Sequence, residues 1–232
     1  MVGTAECYRT PARVGRAKAP NVGPDERNGR RTQPATWKKF SMLAVKARFP
    51  DFELTGCVSR NPKAAFGNFT HASYPDKWVV YFFWPKDFTP VCATELIAFG
   101  HMTRNFAERD AVLLGGSVDS EFVHLAWCRA IDHPTDDVPF PLLADVRRRL
   151  CSDLGILDEF EGVALRATFI VDPGQTIRHV SVNDFFVGRN PQECLRILDG
   201  LQTDALCPAR WERGQQTIDR ATSFIEKMPV LG

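Results

Sequence analysis

Residues 77–99 read KWVVYFFWPKDFTPVCATELIAF, and this stretch decides the fold. Trp78 to Trp84 is an unbroken apolar and aromatic run with two valines, the pattern of a strand buried on both faces. Pro85 ends it, because proline has no N–H to give to a sheet ladder. Pro90 suits a first helical position. From Cys92 onward Leu96, Phe99, Met102 and Phe106 recur three or four apart, which predicts a helix running to about Arg109. Cys92 is therefore expected in the first turn of a helix that leaves the carboxyl end of a central strand. Open α/β sheets place their reactive groups there.

That position favours a thiolate, since unpaired N–H groups and the positive end of the helix dipole stabilise an anion. Thr89 can offer a hydroxyl both to the sulfur and to a bound oxygen. Position alone leaves a second reading open, in which Cys92 is a small buried hydrophobe.

The residue types go further. Pro85, Thr89 and Cys92 form Pro-x-x-x-Thr-x-x-Cys, with Glu95 three residues later. This resembles the active-site motif of the peroxiredoxins, and FFWPKDFTPVCATE is similar to the alkyl hydroperoxide reductase C branch, the typical two-cysteine type. The resemblance implies a thioredoxin-like α/β fold, a central mixed sheet flanked by helices, and a thiol peroxidase that reduces hydrogen peroxide and organic hydroperoxides. In that family the proline shields the cysteine, the threonine orients peroxide, and the cysteine sulfur attacks the O–O bond. Those roles fall on Pro85, Thr89 and Cys92.

Arg166 opens RATFIVD, just ahead of another buried strand. A structural ion pair would explain such a cation. By resemblance it bonds the Cys92 sulfur and the peroxide, and stabilises charge as the O–O bond breaks. Glu95, one turn beyond Cys92, either complements the helix dipole or, by resemblance, orients the threonine and arginine groups. Trp84 reads as core and pocket wall.

Cys207 lies in LCPARWERG, after the last helix. As a bare residue it is one more free thiol. The run Cys-Pro-Ala-Arg-Trp resembles the resolving-cysteine segment of two-cysteine peroxiredoxins, which implies that Cys207 of one chain closes an interchain disulfide on Cys92 of another. A homodimer follows from the resemblance, and the branch commonly builds rings of five dimers. The reductant stays open between a thioredoxin-like protein, a flavoprotein disulfide reductase and a small dithiol partner. Ala93 stands where the motif usually has proline. Ala209 stands where relatives reduced by a small dithiol partner carry a second cysteine. The chain also has no Gly-Gly-Leu-Gly segment between Asp119 and Phe140 and no Tyr-Phe terminal helix, features that slow resolution in oxidation-sensitive members.

The rest of the chain reads around this centre. Its 232 residues suit one domain with extensions, and 29 basic against 28 acidic residues give no argument for nucleic acid or a membrane surface. Seven cysteines, scattered and without metal spacing, point to reactive thiols in a reducing, cytoplasmic compartment. No metal or other cofactor is implied. Cys128, Cys151 and Cys194 fall on helices and are expected to be buried and inert. Residues 1–41, basic and rich in Pro and Gly, are expected to form a disordered extension outside the chemistry. Residues 42–203 form the peroxidase domain and 204–232 an arm.

Further strands are expected at Ala111–Ser117, Leu142–Asp145, Ala167–Val171 and Ile177–Asn183, with a turn at Asp172-Pro173-Gly174. Helices are expected at Asp119–Ile131, with Phe122, Val123, Ala126 and Trp127 facing inward, at Val146–Leu154, and at Pro191–Thr203. Phe49, Phe52 and Leu54 read as edge structure, and Asn61–Pro75 as a surface hairpin or loop. Two competing functions remain. A disulfide oxidoreductase on a similar fold needs a neighbouring cysteine pair, which Ala93, Thr94 and Glu95 do not supply. The other is a non-catalytic holdase ring.

Overall fold

In the computed structural model, residues 41–131 and 138–219 are described. The predicted extension (except residue 41), most of the loop before Phe140, and the last residues of the arm lie outside them. The run Trp78–Phe83 forms strand β3, flanked by β4 (Ala111–Ser117) and β8 (Arg166–Val171). With β1 (Glu53–Cys57), β2 (Phe66–Thr70), β5 (Leu142–Ala144) and β9 (Ile177–Asn183) they make a seven-stranded sheet in the order β2-β1-β5-β4-β3-β8-β9. β3, β4 and β5 run parallel, while β8 pairs antiparallel with β3 and β9. The helices are α1 (Pro90–His101), α2 (Thr103–Ala107), α3 (Glu121–Ala130), α4 (Arg149–Asp153) and α5 (Pro191–Gln202). Two short strands, β6 (Leu157–Asp158) and β7 (Val163–Ala164), pair antiparallel with each other outside this sheet. Strands alternating with helices and closed by a hairpin give the expected thioredoxin-like arrangement.

Alternation along β3 builds both layers of core. Val80, Phe82 and Trp84 pack with Leu96, Phe99, Phe106, Trp127 and Leu198 on the side of α1, α3 and α5. Val79, Tyr81 and Phe83 pack on the other side with Phe49, Leu114, Leu154 and Phe169. Gly115 of β4 makes room for this arrangement, because a Cβ there would lie 2.6 Å from the Trp84 ring. Gly115→Ala is expected to lower stability by about 1–3 kcal/mol through overpacking. A reduced urea midpoint with an unchanged slope would show it.

Four expectations need correction. The helix after Cys92 breaks at Met102, whose N–H turns back to Phe99 O and Gly100 O. Gly100 weakens the helix there, and the tightened turn keeps both Met102 and Phe106 in the core. β1 is interior rather than an edge. It pairs with β5, and the edge strand is β2, drawn from the polar 61–75 segment whose Gly67 and Asn68 hide its pattern. α3, capped by Ser120, buries His124, Trp127 and Cys128, whereas Phe122 is 64% exposed. A histidine satisfied by buried acceptors fixes that face, and apolar periodicity does not count it. Finally, the described residues after α5, 203–219, do not extend away from the domain as an arm. They fold back on that helix, with Leu206 bridged to Ile218 and Trp211 buried. Cys128, Cys151 and Cys194 are buried as expected, and so is Cys57.

Candidate active site

The chain leaves β3 at Phe83 and reaches α1 through Trp84–Thr89, so the loop delivers Cys92 into the first turn of α1 at the carboxyl end of the sheet. Cys92 is 1% exposed. Arg166, the first residue of β8, donates from Nη1 to the Cys92 sulfur at 3.3 Å and to Glu95 Oε2 at 2.7 Å. Its Nε donates to the Phe185 carbonyl, which fixes the plane of the guanidinium. A buried cation held 3.3 Å from the sulfur stabilises an anion there, and the α1 amides act in the same direction.

Glu95 is the pivot of this cluster. It also accepts from Arg189, through the backbone N and Nε at Oε1 and Nη2 at Oε2. Burial works to raise the Glu95 pKa, but the Arg189 hydrogen bonds and charge, with Arg166 behind them, outweigh it and hold the carboxyl below its ordinary value. Arg189 in turn donates to Ala167 O and Thr168 Oγ1 and lies over the rings of Phe82 and Phe99. A depressed carboxylate adds stability that is complete above its unfolded pKa and fades as pH falls through the folded one. The urea midpoint of the wild type is thus expected to drop as pH falls below the unfolded value of 4.5. Glu95→Gln, which leaves two buried arginines short of their partner, is expected to cost about 3–5 kcal/mol at neutral pH. It should show a shallower acid decline, and an acid decline as steep as the wild type's would contradict this role.

Pro85, in the loop between β3 and α1, is buried. Thr89 stands at the N-cap of α1, half-buried, and its hydroxyl donates to Lys86 O at 2.8 Å. With its proton used to close the loop, the Thr89 oxygen keeps lone pairs that can accept from a peroxide O–H. The expected bond from Thr89 to the sulfur is not among the hydrogen bonds of the described residues. Trp84 is a wall, as expected, and more. Its Nε1 donates to Asp87 Oδ1, and Asp87 Oδ2 meets His124 Nδ1 at 2.7 Å. The other ring nitrogen of His124 faces Leu143 O. Both nitrogens meet acceptors, so the Asp87 contact overcomes burial and raises the His124 pKa. Asp119 accepts the Asp87 N–H and completes the tie between the loop and β4.

The structure thus brings Arg166 into contact with both Cys92 and Glu95, with Trp84 in the same core cluster as Cys92 and with Pro85 and Thr89 on the loop that leads into α1. Arg189, Asp87 and His124 escape the sequence reading. Arg189 had one available signal, a lone cation in VGRNP immediately ahead of a capped helix. Cys207 is elsewhere, half-buried against the C-terminal end of α5 with its sulfur 3.9 Å from Gly200 O.

The AhpC/TSA family profile matches residues 45–180. The chain belongs to that family. It is 44% identical over 188 residues to alkyl hydroperoxide reductase C of Mycolicibacterium smegmatis, covering 78% of this chain and 95% of that protein. Peroxiredoxin-2 of Macaca fascicularis is 43% identical over 178 residues, covering 73% of this chain and 86% of the relative. Among solved structures, Mycobacterium tuberculosis AhpC superposes with a TM-score of 0.67 at 43% identity, covering 74% of this chain and all (100%) of that one. A reduced 2-Cys peroxiredoxin of Plasmodium vivax gives 0.67 at 32% identity, covering 75% and 91%. The chain is accordingly a peroxiredoxin, a thiol-dependent peroxidase with a thioredoxin-like fold. Among the described residues no helix is long and apolar enough to cross a membrane.

Proposed function

We propose that Cys92 is the peroxidatic nucleophile and that Cys207 of a second copy resolves it. The observation that carries the first half is the single Arg166 nitrogen shared between the Cys92 sulfur and Glu95. The Cys92 thiolate attacks the distal oxygen of a hydroperoxide, an S–O bond forms as the O–O bond breaks, and the alkoxide leaves as alcohol, or water, after taking a proton. Sulfur is thereby oxidised to sulfenic acid and the peroxide reduced. Arg166 holds the thiolate and meets the charge developing on oxygen, Thr89 orients the peroxide, and Pro85 keeps water off the sulfur. Glu95 positions Arg166.

In the second step the Cys207 thiolate attacks the Cys92 sulfenic sulfur, an S–S bond replaces S–O, and hydroxide leaves as water. The position of Cys207 supports a bridge between chains. Arg189, at the start of α5, touches Glu95, whereas Cys207 sits beside Gly200. The helix between them rises by about 14 Å at 1.5 Å per residue. A homodimer is the smallest assembly that serves this step, and a ring of such dimers is its natural extension. The disulfide is then reopened by a dithiol reductant, thioredoxin-like, flavoprotein-bound or a small protein, in the cytoplasm.

Arg166→Ala tests the first half. Loss of the cation is expected to slow peroxide reduction by at least about 100-fold, as when a single preorganised donor is removed from a reacting centre. Cys92 alkylation near neutral pH should slow with it. Unchanged rates of both would make Arg166 a structural residue only.

A further inference from the structure

The hairpin β6–β7 leads straight into the active site. Its second strand finishes at Ala164, and two residues later Arg166 donates to the Cys92 sulfur. Its stem belongs to the core, with Ile156, Val163 and Ala164 all buried. The tip is fixed by its own hydrogen bonds. The Glu161 N–H donates to Asp158 Oδ1 and the Gly162 N–H to Asp158 O, both at 2.8 Å. Gly162 turns the chain with a φ of +66°, and a Cβ there would lie 3.1 Å from the Arg148 guanidinium.

The same tip reaches the loop that carries Thr89. Glu161 Oε2 pairs with Lys86 Nζ at 3.2 Å, and the Lys86 carbonyl accepts the Thr89 hydroxyl. A phenyl ring stands in water on each side of that pair. Phe160, next to Glu161, is 91% exposed, and Phe88, next to Thr89, is 57% exposed. Scattered apolar residues are ordinary on a protein surface. Phe160 differs in its setting, because a tip fixed by Asp158 and paired to Lys86 presents it beside the loop that positions the substrate.

Resting on the reading of Cys92 as the peroxidatic thiol, we propose that Phe160 is a specificity-determining residue that packs against the hydrocarbon part of an organic hydroperoxide. The sulfur attacks the oxygen distal to the organic group, so that group points away from the sulfur. Cys92 is buried and Thr89 half-buried, so a bulky alkyl or aryl group extends outward past Thr89, toward the Lys86 side of the loop. There it meets the Phe160 ring, and apolar surface leaves water on both partners. Hydrogen peroxide carries no such group and ends within reach of Thr89 and Arg166. The Glu161–Lys86 pair keeps the tip facing the loop.

The test compares cumene hydroperoxide with hydrogen peroxide in single turnovers of the reduced protein, following Cys92 oxidation by rapid quench and peptide mass. Phe160→Ser is expected to slow oxidation by cumene hydroperoxide about tenfold, the scale of one apolar contact in a specificity pocket. Its rate with hydrogen peroxide should equal the wild type's. Phe160→Leu, which keeps an apolar side chain, should retain most of the rate with cumene hydroperoxide. Both changes are on the surface and should leave the urea midpoint where it is. A ratio of the two rates that does not move in Phe160→Ser, whether neither rate falls or both fall equally, would overturn the proposal. A wild type in which neither hydroperoxide oxidises Cys92 would instead overturn the reading on which it rests.

Discussion

Cys92→Ser is expected to abolish peroxide reduction while leaving the fold intact. The expectation follows from what Cys92 touches. Its sulfur receives one hydrogen bond from Arg166, at 3.3 Å, and the helix around it is held by Leu96, Phe99 and the Glu95 cluster. A serine hydroxyl fits the same space and accepts the same bond, so stability should change by no more than about 1 kcal/mol. The chemistry cannot survive, because a neutral alcohol is a far weaker nucleophile than a thiolate and forms no sulfenic acid. Turnover should drop to the uncatalysed background in a coupled peroxide assay, with circular dichroism and sedimentation unchanged. Wild-type turnover in that variant would remove Cys92 from the mechanism.

Cys207→Ser carries the second large effect. The variant should still reduce one equivalent of hydroperoxide at the wild-type rate, since Cys207 lies at the far end of α5 from the Glu95 cluster. It should then stop as sulfenic acid and pass to sulfinic acid in excess peroxide, a gain of two oxygens by mass. No covalent dimer should form. The other described cysteines cannot take over. Cys128 and Cys57 are buried against each other, and their contact and burial push the Cys128 thiol far above its ordinary range. Burial raises Cys151 likewise and pushes Cys194 up to about 12. Thiols held neutral are poor nucleophiles. A covalent dimer persisting in Cys207→Ser would assign resolution to another thiol.

The strand–loop–helix around Cys92 is legible because three local signals agree: an apolar run too continuous for a surface strand, a proline that stops it, and a helical period beginning at Cys92. Arg166 is legible because it abuts an equally plain strand. Arg189 is not, because its partner Glu95 lies 94 residues away and the contact exists only once α1, β8 and α5 converge. His124 hides for a related reason. Its burial depends on Asp87 and the Leu143 carbonyl, each from a different element, and neither leaves a trace in the periodicity of α3. The Cys207 segment has few large apolar residues, Leu206, Trp211 and Ile218, at no helical or strand period, so it reads as an arm, although Trp211 packs against α5 and Arg196 of that helix bonds its carbonyl.

The most direct measurement is non-reducing electrophoresis with intact mass of the wild type, before and after one equivalent of hydroperoxide. The monomer band is expected to give way to a covalent dimer in which two Cys92–Cys207 bridges join the chains, with no oxygen retained by mass. Oxidised protein that stays monomeric, or a bridge that maps to Cys57, Cys128, Cys151 or Cys194, would contradict it.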